Sequence, residues 1–265
     1  SFVAGSYANR RGKGTHRAVA QFEHWRDRRR HVLRADLWRY FPAIDHAVLK
    51  ADLRRRIACE RTLALCDTVI DGSNTQEPAE WFFPCDDLLS VAERRRGLPL
   101  GNLTSQFFAN VYLDGFDHWA TEVLRAPYLR YVDDFALFSD DPAELAEWRT
   151  RIGDYLVGRR LRLHPAKTQV LPSSEPQRFL GFELLPGGHR RLLPSNVTRF
   201  RQRLDGLRCD WRAGTVDSAK VRERVFSWIA HASHADTARL RHTLFKGGWF
   251  DPRWSDGSPV KASPP

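Results

Sequence analysis

Two adjacent aspartates, Asp133 and Asp134, lie between two short apolar segments, and this pattern constrains the fold of the chain more than any other. Residues 128–132 and 135–138 have the composition of strands, so the sequence predicts a hairpin whose turn is the two acids. Adjacent carboxylates repel each other and are costly to hold beside a hydrophobic core. A bound divalent cation would remove that cost, which makes this hairpin a candidate metal site.

An isolated pair of acids is more often an ordinary polar turn, so a metal site needs a third carboxylate. Asp36 lies in the apolar segment 31–37, which is the candidate neighbouring strand. Mg²⁺ prefers oxygen ligands and keeps waters and phosphates in its other positions, so a few carboxylates at strand ends can hold it. Two such ions about 4 Å apart could activate a 3′-hydroxyl and stabilise a departing pyrophosphate, which is nucleotidyl transfer.

The distribution of charge favours a polyanionic partner. The net charge is +10 and the sequence pI is about 9.9. Residues 1–35 carry nine Lys or Arg against two acids, and residues 191–250 carry twelve against five, whereas residues 36–190 carry nineteen against twenty-three. We therefore expect two basic walls around a mildly acidic centre, which suits a nucleic-acid channel with a cation site at its floor.

The cysteines and the hydropathy predict a cytoplasmic protein that does not contact a membrane. The four cysteines lack the spacing of a disulfide framework or a zinc site, so they are expected to be reduced thiols. No apolar run is long enough to cross a bilayer and no signal peptide is visible. The absence of Met suggests that the chain begins inside a longer reading frame.

Apolar spacing and capping residues predict an α+β body followed by a small helical bundle. The body has predicted helices at 16–34, 45–65, 105–124 and 142–158, turn-rich loops at 71–74 and 98–102, and strands near 167–171 and 178–184. The bundle has three predicted helices, which begin at Ser195, Asp217 and Asp236, the last ending at Gly247. Residues 251–265 are rich in Pro, Ser and Gly and are expected to be loose.

Five segments resemble, in the expected order, the motifs of reverse transcriptases. They are residues 31–46, 97–106, 131–134, Lys167 and 179–182, and the resemblance covers roughly residues 6–250. It implies an α+β right-hand polymerase with fingers, a palm with an antiparallel sheet, and a helical thumb. Fingers and palm would occupy residues 1–190, a three-helix thumb 191–250, and a flexible tail 251–265.

The resemblance assigns the catalytic roles. Asp36 and Asp133 would bind two Mg²⁺ ions directly, with Mn²⁺ as a substitute, and Asp134 would be the supporting carboxylate. Lys167 would protonate or neutralise the departing pyrophosphate, although a plain phosphate-binding or surface lysine is the alternative. The reaction implied is addition of dNMP to the 3′ end of a DNA or RNA primer, directed by template RNA.

The resemblance also implies a nucleotide pocket and a primer grip. Phe41 would pack under the incoming sugar and exclude a 2′-hydroxyl, the alternative being an ordinary core aromatic. Residues 6–17 resemble the fingers of bacterial members and form a Gly-interrupted basic loop, in which the residue that contacts the triphosphate stays open. The full nucleotide set is Arg11, Lys13, Arg17, Leu37, Phe41, Leu100, Gly101 and Gln106. The primer grip would be a hairpin formed by Phe179, Leu180, Gly181 and Phe182.

Two positions depart from the common family pattern, which has Gln in place of Leu100 and Pro in place of Gln106. The resulting pattern from Gly101 to Gln106 resembles the reverse transcriptases of diversity-generating retroelements, encoded by prokaryotic cells or phages, which copy RNA with frequent errors at adenine. This resemblance implies an accessory variability protein as a further partner.

Three other interpretations stay open. The chain could be a reverse transcriptase of another prokaryotic lineage, such as a group II intron, retron, CRISPR-associated or phage-defence type. It could be a catalytically silent module that binds RNA or a protein partner, although three mutually repelling acids argue against that. An RNA-dependent RNA polymerase is disfavoured by Phe41 and Val132.

Overall fold

The computed structural model describes residues 1–74, 81–84 and 86–246. The chain divides into two compact units, Ser1–Ser173 and a second unit that starts at Ser174. The predicted tail at 251–265, the predicted helix end at Gly247 and the thiol of Cys85 lie outside the described residues.

A four-stranded antiparallel sheet forms the centre of the first unit. Its strands are β1 (His31–Ala35), β2 (Tyr128–Tyr131), β3 (Asp134–Ser139) and β4 (Gln169–Pro172), in the order β2-β3-β1-β4. Leu33 pairs with Leu137 and Ala35 with Phe135. Because β1 and β3 are antiparallel neighbours, the end of β1 lies beside the start of β3, which carries the acidic pair.

Seven helices belong to the first unit in the described segments. They are α1 (Thr15–Arg26), α2 (Tyr40–Ala43), α3 (His46–Arg54), α4 (Glu60–Asp71), α5 (Leu88–Glu93), α6 (Leu103–Glu122) and α7 (Pro142–Gly158). The predicted helix at 45–65 is wrong, since the chain leaves the helical conformation between α3 and α4. Both helices bury residues at helical spacing, such as Leu49 and Leu53 and then Leu63 and Ile70, so the periodicity did not reveal the break.

Helix α6 is buried as its apolar first half predicted, and it packs behind the hairpin of β2 and β3. Phe116 is fully buried in it. The ring centroid of Phe116 lies 6.0 Å from that of Tyr128 on β2, 5.2 Å from that of Phe135 on β3, and 5.6 Å from that of Tyr155 on α7. This aromatic cluster joins the helix to the sheet that presents the acids.

The second unit contains a three-stranded antiparallel sheet and three helices. The strands are β5 (Gln177–Phe179), β6 (Phe182–Leu184) and β7 (Arg190–Leu192), and the helices are α8 (Pro194–Arg212), α9 (Ser218–Ala232) and α10 (Ala238–Phe245). The strand predicted at 178–184 is therefore a hairpin. Its turn residues, Leu180 and Gly181, have φ angles of 47° and 87°, the two positive values of a type I′ turn.

The three helices of the bundle are confirmed, but only one of their predicted starts is. The Asp217 side chain accepts a hydrogen bond from the Lys220 amide and caps α9. Ser195 does not cap α8, because Pro194 already occupies the first turn, where its missing N–H costs nothing. The N-cap of α10 is Thr237.

The boundary between the compact units falls after Ser173, whereas the sequence placed a domain boundary at 190. Strands β5, β6 and β7 pair with one another in a sheet separate from the four-stranded one, so they group with the helices that follow them. Within the second unit, the rings of Phe200 and Trp228 stack in parallel with centroids 3.8 Å apart.

In the described part of the chain, no helix combines the length and the hydropathy needed to cross a membrane.

Candidate active site

The acidic hairpin turns one residue earlier than the sequence predicted. Tyr131 pairs with Asp134, so the two-residue turn is Val132–Asp133 and Asp134 is the first residue of β3. Val132 has a φ of 60°, whereas Asp133 is not among the positive-φ residues. This is the sign pattern of a type II′ turn, which matches the twist of the two strands. Asp133 therefore stands at the tip and Asp134 at the strand start.

The structure brings together the three carboxylates that the sequence selected. Asp36 follows β1 directly and its side chain is hydrogen-bonded to that of Asp134. Asp133 interacts electrostatically with both of the other acids. Asp36 is 8% exposed, so this contact lies at the edge of the core. Residues almost a hundred positions apart thus share one small acidic site.

Burial and mutual repulsion raise the pKa values of Asp133 and Asp134. Burial raises the pKa of Asp134 to about 7, and the charges of Asp133 and Asp36 act in the same direction. Burial also raises the pKa of Asp133, and Asp36 adds to the rise while Lys167 opposes it. Asp133 and Asp134 are therefore costly to ionise at this position, and a cation there would stabilise their ionised forms.

Lys167 is the cation that the structure places on Asp36. Its Nζ atom lies 3.0 Å from Oδ2 of Asp36, and its side chain is 59% exposed. The loop that carries Lys167 is fixed by backbone contacts, since the His164 amide donates to the Asp36 carbonyl at 2.7 Å and Leu37 forms a β-bridge with Leu163. The loop therefore contacts Asp36 from the β4 side of β1, opposite to β3.

The three acids do not form a complete metal site by themselves. Among residues 1–74, 81–84 and 86–246, no group of three or more His, Cys, Asp or Glu is placed so that it could hold a metal ion by itself. The acids offer carboxylate oxygens alone, and a hard cation at such a site completes its coordination with water and substrate phosphates. Asp36, Asp133 and Asp134 are the residues that would hold it.

The predicted nucleotide-pocket residues differ in their exposure. Phe41 is partly buried, packs against the core and has its ring centroid 5.6 Å from that of Tyr40. The Leu37 side chain is only 2% exposed and belongs to the core, so it is not available to contact a nucleotide. Leu100 is 75% exposed in the loop before α6, and Gly101 beside it has a φ of 93°. Gln106 is partly buried on α6.

The basic loop is ordered by its own cations. Lys13 Nζ donates to the Ala4 carbonyl at 2.7 Å and lies 4.4 Å from the ring centroid of Tyr7. The Arg17 guanidinium donates to the Gly12 carbonyl. Arg11 is exposed and makes no side-chain hydrogen bond or ion pair within the described residues. Lys13 and Arg17, the other two predicted triphosphate contacts, thus stabilise the loop, whereas the Arg11 side chain does not.

The predicted primer-grip residues form the β5–β6 hairpin of the second unit. Phe179 is 5% exposed and Phe182 is fully buried, with its ring centroid 4.9 Å from that of His231. Leu180 and Gly181 are partly exposed at the turn. The two aromatic side chains therefore stabilise this unit, and the turn is the part of the motif that a nucleic acid could reach.

Sequence reasoning missed a polar network beneath the hairpin. Arg130 on β2 is fully buried and forms a buried ion pair with Asp117 of α6. Asn110 and Ser6 also accept hydrogen bonds from it. The sequence feature that could have revealed this network is an arginine within an apolar strand together with an aspartate within an apolar helix. Such charges are rarely buried without a partner.

Comparison with known proteins identifies the family of most of the chain. The sequence profile of the family described as reverse transcriptase (RNA-dependent DNA polymerase) matches residues 2–184. No curated protein sequence matches the chain.

Solved structures of telomerase share the fold. Apo telomerase from Candida tropicalis truncated from its C-terminal domain has a TM-score of 0.52 and 15% identity, and the match covers 71% of this chain and 41% of that one. Telomerase from Candida tropicalis in complex with a TWJ fragment of telomeric RNA also has a TM-score of 0.52, with 12% identity and coverage of 92% and 44%. The chain thus spans less than half the length of these proteins.

At such low identity the structural likeness shows the fold alone, and it confirms the predicted α+β polymerase fold. The profile match extends over most of the chain and includes all three carboxylates of the acidic site. By that match, the chain belongs to the reverse transcriptase family.

Proposed function

We propose that this chain is an RNA-directed DNA polymerase that adds dNMPs to a primer 3′ end with the help of two Mg²⁺ ions, for which Mn²⁺ can substitute. The observation that carries the proposal is the meeting of Asp36, Asp133 and Asp134 from two neighbouring strands at one acidic site. Membership of the reverse transcriptase family supports the same chemistry.

Each side chain has a role that its position supports. Asp36 and Asp133 would hold the cations directly, and Asp134, which lies beside Asp36, would add a supporting carboxylate. The chemistry that bound ions would supply at these carboxylates is activation of the 3′-hydroxyl and stabilisation of the leaving pyrophosphate. Lys167, exposed and next to Asp36, neutralises or protonates the pyrophosphate as it departs. Arg11 is the cation of the basic loop that is free to contact the triphosphate.

The proposed substrates are template RNA, a DNA or RNA primer, and dNTPs. Residues 1–190 would provide fingers and palm, and residues 191–250 the thumb. Helix α8 supports the thumb assignment, because it exposes the arginines Arg199, Arg201, Arg203 and Arg212. Arginines that neutralise phosphates release counterions, so binding of the primer–template duplex should weaken steeply with salt.

Primer extension tests the proposal directly. A primed RNA template, dNTPs and Mg²⁺ are incubated with the wild-type chain and with the Asp133→Ala, Asp134→Ala double variant. We expect the wild type to extend the primer and the double variant to be inactive, because it lacks the carboxylates that bind the cations. Absence of extension by the wild type on RNA and DNA templates alike would rule out the polymerase activity.

Phe41 is proposed to exclude ribonucleotides. Its ring packs on the core on one side, so a smaller residue would open space at the sugar without removing a central core residue. For Phe41→Val we expect the preference for dNTP over rNTP to fall about 10-fold or more. The measurement is kcat/KM for each nucleotide on one primed template, with dNTP incorporation as the internal control. An unchanged preference would assign Phe41 to packing alone.

We further propose that the enzyme is error-prone and belongs to a diversity-generating retroelement, where it works with an accessory variability protein. The support is Leu100 and Gln106 in the loop and helix start before the buried part of α6. Leu100 is 75% exposed, so its side chain contributes little to the fold and is available to a substrate.

Restoring a polar side chain at this position tests the error-prone character. We expect Leu100→Gln to lower misincorporation opposite adenine by about 2-fold to 10-fold, the effect of one net hydrogen bond to the base pair or sugar. Sequencing of the cDNA gives the error rate. Leu103→Gln is the matched control, since Leu103 is the first residue of α6 and is 83% exposed. Equal error rates in the wild type and Leu100→Gln would discard the idea.

A further inference from the structure

Arg130 lies directly behind the turn that carries Asp133. It is the second residue before Val132 and its side chain is fully buried between β2 and α6. Its Nη1 atom donates a hydrogen bond of 2.8 Å to the Val132 carbonyl. This carbonyl belongs to the peptide group that joins Val132 to Asp133, so the bond fixes the plane from which the Asp133 side chain projects.

The peptide held in this way is strained. Val132 is β-branched and has a φ of 60°, a left-handed conformation that such residues rarely adopt. A residue in this region costs about 1–3 kcal/mol and persists only where its surroundings hold it there. The guanidinium of Arg130 is the side chain that the structure places on the carbonyl of the strained residue.

Each N–H group of the guanidinium donates a hydrogen bond, and together these bonds fix its orientation. Nε and Nη2 donate to the two carboxylate oxygens of Asp117 at 2.7 and 2.6 Å. The second Nη2 proton is directed to Ser6 Oγ at 3.3 Å, and Nη1 donates to Asn110 Oδ1 at 3.2 Å as well as to Val132. Five donors thus meet five acceptors. A lysine has three donors on one atom and cannot reproduce this fork.

The network also connects the turn to the start of the chain. Ser6 lies beside β2, where the Arg130 amide donates to the Gly5 carbonyl at 2.8 Å and the Tyr7 amide donates to the Arg130 carbonyl at 2.9 Å. Asn110 donates its side-chain amide to the Ala8 carbonyl at 2.9 Å. The start of the basic loop, the helix α6 and the catalytic turn therefore share one guanidinium.

We propose that Arg130 is a positioning residue: by holding the Val132 carbonyl, it sets the orientation of Asp133 for metal binding and so for nucleotidyl transfer. The inference rests on the proposed function. A merely structural role for Arg130 would stabilise the fold through Asp117 and leave the catalytic turn unaffected, and this difference can be measured.

The test compares Arg130→Lys with Arg159→Lys in the full chain. Arg159 is a matched control, because it also pairs with a largely buried acid, Asp52, and also donates to a backbone carbonyl, that of Tyr112, but it does not contact the turn. Both variants should be less stable. We expect Arg130→Lys to lower kcat about 100-fold, as misplacement of a reacting group does, with KM for dNTP little changed, and Arg159→Lys to keep kcat near that of the wild type.

A second measurement does not depend on activity. Hydrogen exchange of the amides of residues 131–135 reports whether the turn is held, and we expect faster exchange there in Arg130→Lys but not in Arg159→Lys. If Arg130→Lys does not fold, Ser6→Ala replaces it. That variant removes the acceptor of one Nη2 proton but keeps the ion pair with Asp117, so it should show the same two effects to a smaller degree.

Equal kcat in the Arg130 and Arg159 variants, with unchanged exchange in the turn, would overturn the proposal and leave Arg130 a structural residue. That outcome leaves the proposed function intact. A wild-type chain that never extends a primer would instead end the proposed function, while the exchange measurement would still decide whether Arg130 holds the turn.

Discussion

Asp133→Asn is expected to slow primer extension by at least about 1,000-fold, which corresponds to roughly 4 kcal/mol of lost transition-state stabilisation. The amide keeps the size of the carboxyl but not its charge, so it binds the cation poorly. Stability should not fall. Because burial raises the pKa of Asp133 above its unfolded value, the ionised acid destabilises the fold as the pH rises, and Asn removes that cost.

Single-turnover extension on a primed RNA template gives the rate, and thermal denaturation at pH 8 gives the stability. Asp140→Asn is the matched control, because Asp133 immediately precedes β3 and Asp140 immediately follows it. Asp140 is exposed and pairs with Arg29 at the surface. The control should extend primers at nearly the wild-type rate. An Asp133→Asn variant that is as active as Asp140→Asn would show that Asp133 is not a metal ligand.

Phe116→Ala is expected to lower the free energy of unfolding of the first unit by about 3–5 kcal/mol. Phe116 is fully buried in α6, and its ring contacts the rings of Tyr128 on β2 and Phe135 on β3. Removal of the ring leaves a cavity between the helix and the sheet. Because these strands carry the acidic turn, we also expect lower activity at temperatures where the wild type is fully folded.

Equilibrium urea denaturation followed by circular dichroism measures this loss. The control is Phe107→Ala on the same helix, where the side chain is 50% exposed and the expected loss is below about 1 kcal/mol. Similar denaturation midpoints for the two variants would contradict the central position of Phe116 in the core.

The sequence predicted the parts of the site that depend on local pattern. Two apolar strands around adjacent acids predicted the hairpin, and the apolar segment before Asp36 predicted the neighbouring strand. The exact turn was not predictable in this way, because a shift of one residue keeps the same composition. Pairing of Tyr131 with Asp134 places Val132 in the turn, and a hydrogen bond from the buried Arg130 side chain stabilises a conformation that valine itself disfavours.

Other features could not be predicted from the sequence, because they depend on contacts between distant segments. The network of Arg130 joins Ser6, Asn110 and Asp117, which are more than a hundred residues apart at its extremes. The break between α3 and α4 escaped because each helix continues the apolar spacing of the other. In the second unit, the type I′ turn at Leu180 and Gly181 divided a segment that had the composition of a single strand.

The most direct test of a metal site shared by distant carboxylates is a double-mutant cycle between Asp36 and Asp133. Single-turnover primer extension is measured for the wild type, Asp36→Asn, Asp133→Asn and the double variant, with folding confirmed by circular dichroism. Residues that act as a unit show strongly non-additive effects. We expect each single variant to lose almost all activity and the double variant to lose little more. Additive losses, or an Asp36→Asn variant that extends primers like the wild type, would contradict a shared site.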